Sequence, residues 1–175
     1  MELMNNWNQF LTAQGARPAA TEAAPDSTAP IAAAPIADFG QSLTVPQLQE
    51  GFVAAITDQG LIGLNGDEAA SFLHGQLTND VEHLDQQQVR LAGYCTPKGR
   101  LLASFLMWRN ATTIYLQLPR AIQPAIQKRL QMFVLRAKAK LHDAYFDETN
   151  QVVLGLGGKQ ASAALSAWFP TLPAT

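Results

Sequence analysis

Three strand-forming runs in close succession constrain this chain most: Val89–Thr96, Arg100–Trp108 and Thr112–Leu118. Pro97-Lys98-Gly99 separates the first two. Proline presets φ and glycine tolerates positive φ, so this tripeptide makes a turn. Arg109-Asn110-Ala111 joins the second run to the third. The three therefore read as an antiparallel meander, and Pro119 ends it.

The sequence on either side supplies helices and further strands. Gly51–Thr57 and Leu61–Asn65 read as strands, with Asp58-Gln59-Gly60 as a hairpin loop between them. Gly66-Asp67 opens a helix in which Ala69, Phe72, Leu73 and Leu77 follow at helical spacing and Asp67 caps the free N–H groups. Ile122, Ile126, Leu130 and Phe133 mark a second helix, which places Pro124 in its first turn. From Val134 to Leu141 the period switches to two: Leu135, Ala137, Ala139 and Leu141 face one way, Arg136, Lys138 and Lys140 the other. Gln151–Leu156 is another strand, followed by an Ala-rich helix over Lys159–Trp168. Strands and helices mix without strict βαβ alternation. The fold class is α+β, with a largely antiparallel sheet and flanking helices. A strand–helix unit at the end normally continues into more sheet, so the chain reads as a truncated part of a larger architecture.

Residues 1–38 form a distinct N-terminal arm. Residues 5–13 make a short helix with Trp7, Phe10 and Leu11 on one side. Between Gly15 and Ile36 the chain is rich in Ala, Pro and Thr; Pro18, Pro25, Pro30 and Pro35 forbid a long helix, and few large side chains exist to pack. This is a flexible linker. The compact part occupies 39–175.

Of the 175 residues, 47% are hydrophobic and 15% charged, enough for a core beneath a lightly charged surface. A net charge of −2 gives no global attraction to nucleic acid. Cys95 stands alone, so neither a disulfide framework nor a thiolate metal site is expected. No apolar run approaches the roughly 20 residues that span a bilayer, and no Lys or Arg precedes Arg17 to make a secretory leader. These features read as a soluble, cytoplasmic protein.

No acid/base or nucleophilic constellation stands out. His74, His83 and His142 show no recognised ligand spacing. Gly155-Leu156-Gly157-Gly158-Lys159 sits between a strand and a helix, where phosphate loops occur, yet Val153 and Gln160 break both the dinucleotide and the Walker patterns. A basic stripe of Lys128, Arg129, Arg136, Lys138 and Lys140 can meet RNA phosphates, or can simply be a solvated strand face.

The central stretch carries a resemblance. Gly66-Asp67, Phe72-Leu73-His74-Gly75-Gln76-Leu77-Thr78-Asn79-Asp80-Val81 and Pro97-Lys98-Gly99-Arg100-Leu101-Leu102-Ala103 are similar to the YgfZ family of folate-binding proteins, relatives of the glycine cleavage T protein (an aminomethyltransferase). Weaker matches are Trp108-Arg109, Leu135-Arg136-Ala137-Lys138 and Leu154-Gly155-Leu156-Gly157-Gly158. The resemblance covers about residues 50–170 and implies the N-terminal part of a ring of α+β subdomains around a tetrahydrofolate site, with a second subdomain from about 119. It implies an accessory role in iron–sulfur enzyme assembly or repair and in tRNA modification, with folate and iron–sulfur tRNA-modifying enzymes as partners. Folate contacts are expected at Gln59, where family members often carry an aromatic residue, and at Lys98 and Arg100, which either meet the glutamate tail or are simply exposed loop charges. The family's Lys-Gly-Cys-Tyr-x-Gly-Gln-Glu motif is absent, and Cys95 has neither neighbour that would make it that cysteine. The paired aspartates of the T protein align with Ala103 and Ser104, which cannot accept a proton at neutral pH. No catalytic residue is assigned. A folate-dependent one-carbon transferase and a protein or RNA interaction module remain the alternatives.

Overall fold

The computed structural model of the protein describes residues 2–18, 36–134, 137–145 and 151–169. Residues 19–35 of the expected arm, and Leu135 and Arg136 of the expected basic strand, lie outside the described residues. The elements in chain order are α1 (Glu2–Ala13), β1 (Arg17–Pro18), β2 (Ile36–Asp38), α2 (Val45–Glu50), β3 (Phe52–Ala55), β4 (Gln59–Asn65), α3 (Ala69–His74), β5 (Arg90–Cys95), β6 (Leu101–Arg109), β7 (Thr113–Pro119), α4 (Gln123–Phe133), β8 (Lys140–Asp143), β9 (Leu154–Gly157) and α5 (Ala161–Ser166). The chain divides into two compact units, Asp58–Gln151, and Met1–Thr57 with Val152–Thr175.

The Asp58–Gln151 unit is built on a five-stranded sheet of order β5-β6-β7-β4-β8. Every neighbouring pair is antiparallel. The meander forms as its turn signals dictate. At the first turn Gly99 takes a φ of 77°; its N–H donates to the Thr96 carbonyl at 2.8 Å, and the Thr96 hydroxyl accepts the Arg100 N–H at 3.1 Å. At the second, Asn110 Oδ1 accepts the N–H groups of Thr112 and Thr113 at 2.9 and 2.8 Å.

One face of the sheet carries the core. Ile62 and Leu64 of β4, Ala92 and Tyr94 of β5, Ala103, Phe105 and Met107 of β6, and Ile114, Leu116 and Leu118 of β7 join Leu73 of α3 and Ile126 and Leu130 of α4 in one buried cluster. Both helices therefore cover the same face, and burying their apolar stripes is what stabilises such short elements. The opposite face carries Leu91, Ser104, Leu106, Trp108, Tyr115 and Gln117, by alternation from the register pairs Leu91↔Leu106 and Trp108↔Tyr115.

Three local expectations are corrected. Asp58-Gln59-Gly60 is not a hairpin. β3 pairs with β9, while β4 pairs with β7 on one edge and β8 on the other. The run Gly60–Leu64 is buried continuously rather than alternately, which marks a central strand with both edges occupied. The helix expected from Asp67 begins at Ala69, and Glu68 at its N-cap makes no side-chain cap. Instead the Glu68 carboxylate accepts the Lys138 N–H at 2.7 Å, and its own N–H donates to the Lys138 carbonyl at 3.3 Å. Finally, the strand expected from Val134 begins only at Lys140.

In the other unit, β1 pairs with β2 and β3 with β9, each as a two-stranded antiparallel sheet. Trp7 stacks on Phe10 in α1 with centroids 5.5 Å apart. Thr44 and Gln47 form a capping box at the start of α2. Gly158, at a φ of 85°, turns the chain so that the N–H groups of Lys159 and Gln160 donate to the carbonyls of Gln49 and Glu50, each at 2.9 Å. Amides that a phosphate loop would aim at its ligand are thus spent on α2.

Candidate ligand-binding site

Register places the expected folate positions relative to one another. Gln59 opens β4 opposite Pro119. The β6–β7 pairing, Leu106↔Gln117, brings Ser104 level with that pair, and Ser104 faces Gly93 on β5. Gly93, Ser104, Pro119 and Gln59 therefore run in one line across the sheet. Adjacent strands are about 4.8 Å apart, so Ser104 and Gln59 are about 10 Å apart. Lys98 and Arg100 project beyond that line, four residues on at the β5–β6 turn, which is roughly 13 Å along the strand. Both are exposed, and among the described residues neither makes an ion pair. The three positions fringe one end of the sheet rather than converging on a point. That arrangement suits an extended ligand with a polar head and an acidic tail. Leu101, between that line and the turn, is exposed and lies over Gly93, where a Cβ would meet its Cδ1 at 3.1 Å. The exposed pair Leu91 and Leu106 lies two residues beyond the line, on the side away from Lys98 and Arg100.

The backbone of Gln59 is anchored by a polar cluster. Arg120 Nε donates to the Gln59 carbonyl at 3.3 Å. Its guanidinium lies 4.1 Å from the centre of the Tyr145 ring, and Nη1 is 3.9 Å from Asp143 Oδ2. Gln123, almost wholly buried, donates to the Leu61 carbonyl at 3.4 Å and occupies the space a Cβ on Gly60 would need. Burial pushes the Asp143 carboxyl above its ordinary value, against a hydrogen bond from Gln123 and the charge of Arg120. A folded state that holds a proton more tightly than the unfolded chain gains stability as pH falls. Acidification through the window from that raised pKa down to the ordinary 3.8 should therefore stabilise the protein. Asp143→Asn should remove this component. Urea midpoints measured between about pH 7 and pH 4 check it; superimposable pH profiles for parent and variant would refute it.

A second cluster, which spacing did not reveal, follows α3. Asp80 Oδ2 lies 2.7 Å from His83 Nδ1, and Oδ1 lies 3.2 Å from His74 Nδ1. The His83 backbone N–H, then its ring, and the charge of His74 hold the Asp80 carboxyl below its ordinary range against modest desolvation. Arg90 binds the carbonyls of Asp80 and His83 at 2.9 and 3.0 Å. Thr78 and Asn79 fasten the segment to β5: the Thr78 hydroxyl accepts the Gly93 N–H at 2.7 Å and the Asn79 amide donates to the Leu91 carbonyl at 2.8 Å. Among the described residues no group of three or more His, Cys, Asp and Glu side chains is disposed to hold a metal ion.

The remaining expected positions are dispersed. Ala103 is buried in the core and Ser104 is exposed on the opposite face. Lys128 and Arg129 lie in α4, with Arg129 Nε buried and making no hydrogen bond among the described residues. Lys138 and Lys140 are exposed at the approach to β8. A depression of about 480 Å³ lined by Leu84, Asp85, Gln86, Gln87 and Arg109 lies at the other end of β6 from Lys98 and Arg100.

This architecture is shared with a solved structure. The glycine cleavage system aminomethyltransferase T from Bartonella henselae superposes with a TM-score of 0.60 at 22% identity, over 67% of this chain and 32% of that one. The tRNA-modifying protein YgfZ of Edwardsiella ictaluri (strain 93-146) is 35% identical over 112 residues, 64% of this chain and 33% of the relative. The chain is similar to the YgfZ tRNA-modifying proteins. The YgfZ protein of Colwellia psychrerythraea (strain 34H) is 29% identical over 131 residues, 74% of this chain and 39% of the relative. The chain thus spans about a third of the length of the curated YgfZ relatives it matches. No protein-family model matches the chain. No helix among the described residues is long and apolar enough to cross a membrane.

Proposed function

We propose that this chain is the N-terminal part of a cytoplasmic YgfZ-like protein that binds a tetrahydrofolate and supports iron–sulfur enzymes and tRNA modification. The 35% identity to a tRNA-modifying YgfZ protein across 112 residues carries the reading, and the aminomethyltransferase fold supports it.

The residues at the sheet end fit such a ligand in charge and shape. Lys98 and Arg100 hold the carboxylates of the glutamate tail. Leu101 gives the aromatic part an apolar contact next to the turn, Leu91 and Leu106 extend the apolar face past the Ser104 line, and Gln59 offers an amide at the far edge. Bound tetrahydrofolate supplies an amine able to carry a one-carbon unit. Ala103 and Ser104 put no carboxylate on either face of β6 at the positions aligned with the T-protein aspartates, so this chain's residues bind and orient without relaying a proton.

Calorimetric titration of the full chain with folinic acid, a stable reduced folate, tests the proposal. Saturable one-to-one binding is expected, with affinity lowered about tenfold or more in the Lys98→Glu/Arg100→Glu variant as two charge-assisted contacts are lost. Absence of heat, or a variant that binds like the parent, would remove the site from this end of the sheet.

A further inference from the structure

His74 Nδ1 has two neighbours that make opposite demands. It accepts the Val81 backbone N–H at 3.4 Å, and it lies 3.2 Å from Asp80 Oδ1. An amide N–H only donates, so the Val81 bond needs a bare lone pair on Nδ1. An ionised carboxylate only accepts, so the Asp80 contact is attractive only when the same nitrogen carries a proton. The two arrangements differ by one proton, and histidine is the side chain whose charge ordinarily changes across physiological pH.

We propose that His74 is a proton-operated switch at the end of α3. Neutral, it accepts the Val81 amide. Protonated by solvent, it releases that amide and donates to the Asp80 carboxylate. The charged and titratable groups around it are Asp80 itself, His83 on the far carboxylate oxygen, and Arg90, which grips the Asp80 and His83 carbonyls from the start of β5. The Val81 side chain is fully buried, so release of its amide is felt in the core and not only in solvent. The adjoining Thr78 and Asn79 fasten the segment to the outer edge of β5. Acid therefore acts on the contact that covers this edge.

Proton–nitrogen correlation NMR on the full chain, from about pH 8 to pH 5, tests the switch. The Val81 amide should move with a single midpoint shared by the His74 ring protons, and its exchange protection should fall on the acid side. His74→Asn places an amide oxygen near the position of Nδ1 and should freeze the Val81 signal while keeping its protection. His83→Asn should leave the transition in place. A Val81 amide that stays still while His74 titrates overturns the proposal. So does a transition that survives His74→Asn or vanishes in His83→Asn, with urea unfolding confirming that both variants are folded.

Discussion

Gly66→Ala should destabilise the protein by about 3 kcal/mol, combining backbone strain with overpacking. Gly66 holds a φ of 123°, a conformation that side chains rarely adopt. An added Cβ would also press on the Lys138 carbonyl oxygen, with the Ala139 Cα at 2.9 Å and the Lys138 carbonyl carbon at 3.0 Å. These are backbone atoms, and Lys138 is pinned by its paired bonds to Glu68, so nothing there yields cheaply. Gly99 gives the contrast. Its φ is 77° but nothing lies within 4 Å of the point a Cβ would occupy, so Gly99→Ala should cost only the conformational part, about 1 kcal/mol. Urea unfolding of both variants at neutral pH decides the matter; equal losses would show that crowding at Gly66 is not the cause.

Phe105→Ala should cost about 3–5 kcal/mol, the range for removing a buried aromatic ring. Phe105 is 1% exposed on the core face of β6, opposite Ala92 of β5. That small partner offers no bulk across the strand to fill the space once the ring has gone. Leu106 is the next residue but faces the other way and is 40% exposed. Leu106→Ala should therefore change the unfolding free energy by less than about 1 kcal/mol. A Leu106 effect as large as that of Phe105 would reverse the assignment of the two faces.

The meander was legible because its instructions are local. Pro97 and Gly99, and Asn110 at the second turn, force reversals within a few residues of the strands they join. The pairing of β4 was not legible. Asp58-Gln59-Gly60 is a fair hairpin loop by composition, but the hydrogen-bond partners of β3 lie in β9, about a hundred residues further on. The helix start was misplaced for a related reason: Glu68 satisfies the backbone of distant Lys138 in place of the helix end. Of the candidate site, the exposed turn bearing Lys98 and Arg100 followed directly from the tripeptide. The His74–Asp80–His83 cluster depends on how a loop folds back on itself, and no periodicity encodes that. Arg120 and Gln123 come from one stretch of the sequence and Asp143 and Tyr145 from another, brought together by the register of β4 with β7 and β8.

The pairing of β3 with β9 has a consequence for assembly order. Joining these strands in an unfolded chain means closing a loop of about a hundred residues. In the folded Asp58–Gln151 unit, however, the first strand and the last are direct neighbours, Ile62 lying opposite Asp143. Once that sheet exists, only the short lengths before β4 and after β8 remain to be closed. Loop entropy that grows as the logarithm of length makes this cheaper by about 1.5 kcal/mol. The inserted sheet thus acts as a template for the ribbon: the order of closure runs from the inside of the sequence outwards.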